Sequence, residues 1–355
     1  MAPKRPKIDA VDLFCGAGGL TAGLRRAGLN VRAGYDIDES CRFAYETNNP
    51  SKFSTKDVEM LTGAELSKWY SSASVRLLAG CAPCQPFSTY NLGRDTSSDR
   101  KWPLLNSFTR LIREVGPELV SMENVPEVTR HSIYQDFVNG LKDSGYYVWA
   151  NKVDCAKYGL PQKRFRHVLL ASKLGEIELI PPPALGQCMT VRDAIAHLPP
   201  IEAGQVSKAD PLHRAAKLSS LNMKRIRASV PGGTWSDWPV ELRAACHQRE
   251  SGQSYPSVYG RMSWDEPSPT MTTLCHGFGN GRFGHPEQDR GISLREAALL
   301  QSFPSDYKFA PDNEVTMRAV GRMIGNAVPV RIGEVIGTSL LQHVAHRGFQ
   351  APLRR

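Results

Sequence analysis

The chain has 355 residues, with 44 Lys and Arg against 35 Asp and Glu, a formal net charge of +9. Its 41% apolar content is ample for one large α/β domain and a smaller one, and the basic excess suits a partner rich in phosphate. No apolar run approaches the ~20 residues needed to span a membrane. The 8 cysteines are thinly spread and no signal peptide is evident, so free thiols in a reducing cytosol are expected rather than a disulfide framework. The start, Ala2-Pro3-Lys4-Arg5-Pro6-Lys7, reads as a basic solvated tail.

Ile8 to Phe14 reads as a buried strand running into Cys15-Gly16-Ala17-Gly18-Gly19, followed by a helix from about Leu20 to Ala27 that Gly28 stops. Asn30 to Tyr35 is a second strand ending in Asp36, and Asp38 is placed to cap the next helix, through about Tyr45. This is a βαβ unit with a glycine-rich first turn, in which the acid after the second strand can accept hydrogen bonds from ribose hydroxyls. The pattern fits NAD, FAD or S-adenosylmethionine, and it also fits a purely structural tight turn.

A short apolar run, Val75 to Ala79, leads into Gly80-Cys81-Ala82-Pro83-Cys84-Gln85-Pro86-Phe87-Ser88, and a polar segment from Thr89 to Lys101 comes next. A strand, a cysteine in a proline-fixed turn and a long loop suit a nucleophile that reaches a substrate under a lid. The Cys81/Cys84 pair also suits a redox dithiol or half a zinc site, but no second pair of ligands lies near it in sequence.

The α/β alternation continues with a helix from about Leu104 to Glu114, a strand from Glu118 to Met122, a helix around Tyr134 to Lys142, and strands at Tyr146 to Val153 and His167 to Ala171. The sum is a doubly wound sheet with functional residues at strand C-terminal ends. Glu123, at one such end, is costly to bury unless paired or functional; it suits a general acid, or a structural glutamate holding a loop. Gln162, Arg164 and Arg166 share one face of an extended chain, three donors suited to a carboxylate, a phosphate or a base edge, or to a surface arginine ladder.

Pro181-Pro182-Pro183 reads as a stiff linker, beyond which the α/β rhythm is lost. From Gln205 to Trp235 there are six Lys or Arg (208, 214, 217, 224, 225 and 227) against one acid, Asp210. This reads as a second, irregular domain with a basic face. Helices return at Leu294 to Leu300 and at Pro329 to His343.

Taken in order, Asp12-Leu13-Phe14 with Gly16 and Gly18-Gly19, Pro83-Cys84-Gln85, Glu123-Asn124-Val125, Gln162 with Arg164 and Arg166, Arg295-Glu296-Ala297 leading to Gln301-Ser302-Phe303-Pro304, and Gly325-Asn326-Ala327-Val328-Pro329 resemble the motifs of the DNA (cytosine-5)-methyltransferases, bacterial or phage type. The resemblance covers nearly the whole chain. It departs at Asp36, where Glu is frequent, at Ile37, where an aromatic is common, and at Cys81 and Ala82, where Gly and Pro or Phe are often found.

The resemblance implies a Rossmann-like S-adenosylmethionine-dependent catalytic domain over 1–180 and 320–355 and a target-recognition domain and hinge over 181–319. Phe14, Gly16, Gly18 and Gly19 would line the methionine and ribose of the cofactor, Asp36 would hold the ribose hydroxyls, and Ile37, Asp57 and Val58 would meet the adenine. Pro83, Leu104, Asn326 and Ala327 would complete that pocket. Cys84 would attack carbon 6 of a flipped-out cytosine, Glu123 would act at N3, and Arg166 with Arg164 would anchor the ring carbonyl or a phosphate. Gln85, Ser88, Gln162, Lys224, Arg225 and Arg227 would contact nucleic acid, and Cys81 is left as a packing residue. No metal is implied. The expected partner is double-stranded DNA, with a cognate restriction endonuclease as functional companion, and the expected form is a cytoplasmic, nucleoid-associated monomer. A tRNA cytosine-5 methyltransferase of the same fold is the alternative, against which the basic second domain stands. A catalytically silent binding module would have no need of Cys84, Glu123 and Arg166 together, and a nicotinamide-dependent dehydrogenase would leave Pro83-Cys84-Gln85 unexplained.

Overall fold

In the computed structural model, which describes residues 6–83, 103–184, 188–250 and 256–347, strands and helices alternate through the first half of the chain. In order they are β1 (Ile8–Leu13), α1 (Gly19–Ala27), β2 (Asn30–Asp36), α2 (Arg42–Asn48), β3 (Lys52–Thr55), α3 (Gly63–Ser67), β4 (Val75–Gly80), α4 (Pro103–Val115), β5 (Leu119–Asn124), α5 (Ser132–Asp143), β6 (Tyr147–Asp154) and β7 (Phe165–Ser172). Beyond them, among the described residues, come helices and no further strand: α6 (Val191–Ile195), α7 (Ser220–Ala228), α8 (Leu294–Leu300), α9 (Met317–Asn326) and α10 (Val330–His346). Among the described residues no helix is long and apolar enough to cross a membrane.

The chain forms two compact units: Met1–Tyr158 with Phe165–Ala184 and Val328–Arg355, and Gly159–Arg164 with Leu185–Ala327. The first unit is a 7-stranded sheet in the order β3-β2-β1-β4-β5-β7-β6. Strands β1 to β5 are parallel, while β7 runs antiparallel to both β5 and β6. β1 and β5 are buried at every position, as expected of central strands covered on both faces. Strand order reverses between β1 and β4, and an open α/β sheet binds its ligands beyond the strand ends at such a switch point.

The helices begin and end where local chemistry dictates. Gly28 takes φ 106°, and its N–H bonds back to the Arg25 and Leu24 carbonyls to close α1. Asp38 caps as expected, but it caps a 3-10 turn, Glu39–Cys41, and α2 starts only after it. α10 returns to the first unit and packs on α1. A Cβ on Gly23 would fall 2.6 Å from Gly333 Cα, so the two backbones approach more closely than any side chain allows. The first unit is thereby discontinuous in sequence, while α9 lies with the second.

The second unit has little regular structure, and alongside its buried aliphatic side chains it buries a charge pair and a group of aromatics. Arg290, fully buried, makes two 2.7 Å hydrogen bonds to the two oxygens of Glu296. That carboxylate also closes a capping box with Ser293 at the start of α8. Ile226, Trp235, Trp238 and Phe278 form a separate buried cluster.

Among the buried imidazoles, one in each unit is pushed down to about 4. His167 lies with Nε2 2.6 Å from the Tyr134 hydroxyl, and burial pushes it from an ordinary 6.5 down to about 4. In the second unit burial pushes His285 down to about 4 as well. Between pH 6.5 and 4 these two imidazoles bind protons in the unfolded chain but not in the folded one, so their contribution to stability falls as the pH is lowered through that window. Between pH 7 and 5 the thermal midpoint of His167→Gln is therefore expected to change more favourably than that of the parent protein. An identical change in the two proteins would contradict this.

Candidate active site

Two neighbouring strands of the first unit, β1 and β4, end side by side, with Leu13 opposite Gly80. The turns beyond these two strand ends form the site.

After β1 the backbone turns sharply. Phe14 adopts φ 58°, in the left-handed region a bulky residue rarely enters, and Gly16 and Gly18 come next with φ 48° and 89°. Gly18 is the N-cap of α1, and Gly19 is its first residue. The turn is tied to β2: the Cys15 N–H donates to the Tyr35 carbonyl at 3.1 Å, and the Gly16 N–H donates to Asp36 Oδ2 at 2.8 Å. The other oxygen of Asp36 accepts from the Asp38 N–H at 2.9 Å. Burial raises the Asp36 carboxyl against the pull of those two amides. Beneath the turn, Asp12 is fully buried and accepts from the Thr21 hydroxyl at 2.7 Å, and burial pushes its carboxyl up to about 7.

The turn faces space. Among the described residues a Cβ on Gly16 would meet no atom within 4 Å, and Ile37, next to Asp36, is 70% exposed. An exposed apolar side chain stands next to a carboxyl group whose two oxygens accept from the Gly16 and Asp38 amides. Asp57 caps a 3-10 turn through a 3.0 Å bond from the Glu59 N–H, Val58 in that turn is buried, and Leu104 is half-buried on α4.

After β4 come Cys81, Ala82 and half-buried Pro83. Cys84, Gln85 and Ser88 lie outside the described residues. The segment is fixed from both sides: the Cys81 N–H donates to the Leu13 carbonyl at 3.3 Å, and Asn124 Nδ2 donates to the Ala82 carbonyl at 3.1 Å. Glu123, one residue earlier on β5, is 3% exposed. Its Oε2 accepts from the Cys81 thiol at 3.0 Å. Its Oε1 lies 2.9 Å from Arg166 Nε on β7, an ion-pair contact in which the N–H is not aligned for a hydrogen bond, so Oε1 keeps its lone pairs for a further donor. Arg166 Nη1 donates to the Phe165 carbonyl at 2.7 Å. An acid, a guanidinium and the lead-in to Cys84 thus meet at the ends of β4, β5 and β7. Glu123 and Arg166, singled out from the sequence, stand here together with Cys81, which from the sequence reads as packing. The signal that marks it is its place where glycine is often found.

Other expected contacts lie elsewhere. Gln162 is fully buried in the second unit, its amide spent on the Met271 N–H, the Leu300 carbonyl and Gln301. Arg164, 2% exposed, donates to Gln162 Oε1 and to the Met271 carbonyl at 3.0 Å. Both were expected to face a ligand; an extended chain does put them on one side, but that side is the interior of the second unit. On α7 the basic run divides by helical periodicity. Lys224 is exposed, and Arg227 is exposed and paired with Asp289. Arg225, expected at the nucleic acid, instead turns inward, bonding the Leu242 carbonyl and lying over the Tyr259 and Trp238 rings. Asn326 ends α9, and the Ala327 carbonyl accepts from Gln301 Nε2 at 2.7 Å.

A family model described as C-5 cytosine-specific DNA methylase matches residues 8–342. Type II methylase M.HgiDII of Herpetosiphon aurantiacus is 51% identical over 334 residues, 93% of this chain and 94% of its own. Type II methyltransferase M1.HphI of Haemophilus parahaemolyticus is 30% identical over 340 residues, 94% of this chain and 87% of its own. Among solved structures, a putative DNA modification methyltransferase encoded within a prophage (E. coli) superposes with a TM-score of 0.74 at 23% identity, covering 96% of this chain and all of that one. The S. pombe Dnmt2 methyltransferase gives 0.67 at 17% identity, covering 97% of this chain and all of its own. At those identities the two structures show the Rossmann-like methyltransferase fold.

Proposed function

Because the chain belongs to the C-5 cytosine-specific DNA methylase family, we propose that it methylates carbon 5 of cytosine within one specific double-stranded DNA sequence, using S-adenosylmethionine, through covalent attack by Cys84. The type II names of its relatives favour a restriction–modification setting with a cognate endonuclease. The observation that carries the reading is the buried Glu123 carboxylate between Arg166 and the segment leading to Cys84, one strand away from a glycine turn that faces open space.

Phe14, Gly16, Gly18 and Gly19 would receive the methionine and ribose portion of the cofactor, Asp36 the ribose hydroxyls, and Ile37, Asp57 and Val58 the adenine. Bound there, S-adenosylmethionine supplies an electrophilic methyl group. Carbon 5 of cytosine is a poor nucleophile while the ring is aromatic. The Cys84 thiolate adds to carbon 6, which moves electron density onto carbon 5 and N3. Glu123 takes up one proton as the flipped base binds, donates it to N3 as that charge develops and recovers it when the ring is restored, and the Arg166 guanidinium holds the carboxyl in place and stabilises the ring carbonyl or a neighbouring phosphate. After transfer a base removes the carbon 5 proton and the bond to Cys84 breaks, restoring the aromatic ring. Such contacts are out of reach inside a duplex, so the cytosine must leave the stack. Lys224 and Arg227, exposed on α7, are the residues of the basic run proposed to meet phosphate.

Expression in cells that lack 5-methylcytosine, followed by mapping of the base in both DNA and tRNA, tests this directly. The expected result is full modification of a single short DNA sequence and unmodified tRNA; methylation confined to tRNA would overturn the reading.

A further inference from the structure

Cys81 does more than fill space at the end of β4. Gly80 pairs with Met122 across the parallel β4–β5 ladder, which sets residue 81 beside residue 123. The Sγ–Oε2 distance of 3.0 Å is a hydrogen bond in which the thiol donates, and a donor to a carboxylate oxygen is worth more than one to a neutral acceptor. The backbone that carries the thiol is held by bonds from Cys81 N to the Leu13 carbonyl and from Asn124 to the Ala82 carbonyl. Arg166 opposes the other oxygen without an aligned hydrogen bond. Among the described residues, the hydrogen bond that sets the rotation of this buried carboxyl group is therefore the one from Cys81.

We propose that Cys81 is a positioning residue for Glu123: its thiol donates to Oε2, fixes the plane of the carboxyl group and presents Oε1 to the flipped base. The inference rests on the reading of Glu123 as the group that meets cytosine N3. It gives this chain a donor at a position where glycine, which has no side chain to donate, is often found. A misaligned acid slows the chemical step and leaves cofactor binding, proposed for the turns after β1, β2 and β3, unchanged.

Cys81→Ala and Cys81→Val remove the donor, the second keeping apolar bulk at the position, whereas Cys81→Ser retains a hydroxyl that reaches the same oxygen. The expected outcome is a fall in kcat of about tenfold for the alanine and valine variants, the rate equivalent of one lost hydrogen bond. The KM for S-adenosylmethionine should change less than about twofold, and serine should recover most of the turnover. Glu123→Gln, assayed alongside, separates the two levels. Wild-type turnover in Cys81→Ala and Cys81→Val with an inactive Glu123→Gln overturns the role of Cys81 alone. Wild-type turnover in Glu123→Gln overturns the reading on which it rests. A loss shared equally by the serine, alanine and valine variants assigns Cys81 to packing and also overturns the proposal.

Discussion

Cys84→Ala is expected to lower methyl transfer by more than about 10⁴-fold, since without a thiolate to add at carbon 6 the ring offers no usable nucleophile at carbon 5. Binding of S-adenosylmethionine should survive, because the residues proposed to hold its ribose and adenine stand in the turns after β1, β2 and β3. The parent enzyme should also form a denaturant-resistant adduct with DNA that carries 5-fluorocytosine at the target. There the carbon 5 position holds fluorine where a removable proton would be, so the step that expels the cysteine cannot occur. The same DNA should give no adduct with Cys84→Ala. Turnover that persists in the variant, or an active parent that never forms the adduct, would remove Cys84 from the chemistry.

Much of the sheet can be read from residue pattern. β1 shows as Ile8, Ala10, Val11 and Leu13 ahead of a glycine-rich turn, although Asp9 and Asp12 interrupt the apolar run, and α8 carries its capping box, Ser293 and Glu296, in plain view. β3 escaped because it is a four-residue edge strand of mostly exposed side chains, with no run to detect. α9 escaped because its glycines, Gly321 and Gly325, read as breaks. In the fold those glycines let α9 lie against His276 and the Thr272–Thr273 backbone, where a Cβ would collide. The site divides in the same manner. Glu123 declares itself by the cost of a carboxylate at the end of a buried strand, and Arg166 by its place on one face of the Gln162–Arg166 run. The inward turn of Gln162, Arg164 and Arg225 does not, because whether a polar side chain faces a ligand or its own core depends on partners distant in sequence. Met271 and Gln301 take up the first two, and Tyr259 and Trp238 the third. A count of basic residues therefore overstates the surface available to DNA, and only Lys224 and Arg227 of the α7 trio remain outside.

Arg166→Met separates the two tasks of its guanidinium. Glu123 is 3% exposed and the arginine 13%, so removing the cation leaves a buried carboxylate with the Cys81 thiol and no counter-charge. Breaking a buried pair from one side typically costs ~3–5 kcal/mol, whereas removing both charges together is often close to neutral. The single variant should therefore unfold at distinctly lower denaturant, and Glu123→Gln/Arg166→Met should regain most of that loss. Activity should not follow stability. Arg166→Met loses about 10²–10³-fold in kcat, as when one donor to developing charge is removed, and the double variant stays inactive although it is well folded, because a glutamine amide has no acidic proton to share with N3. Denaturant titration and single-turnover methylation of the three variants supply the cycle. If stability and turnover recovered together in the double variant, the Glu123–Arg166 pair would be a structural clamp, and the proton at N3 would have to come from another group.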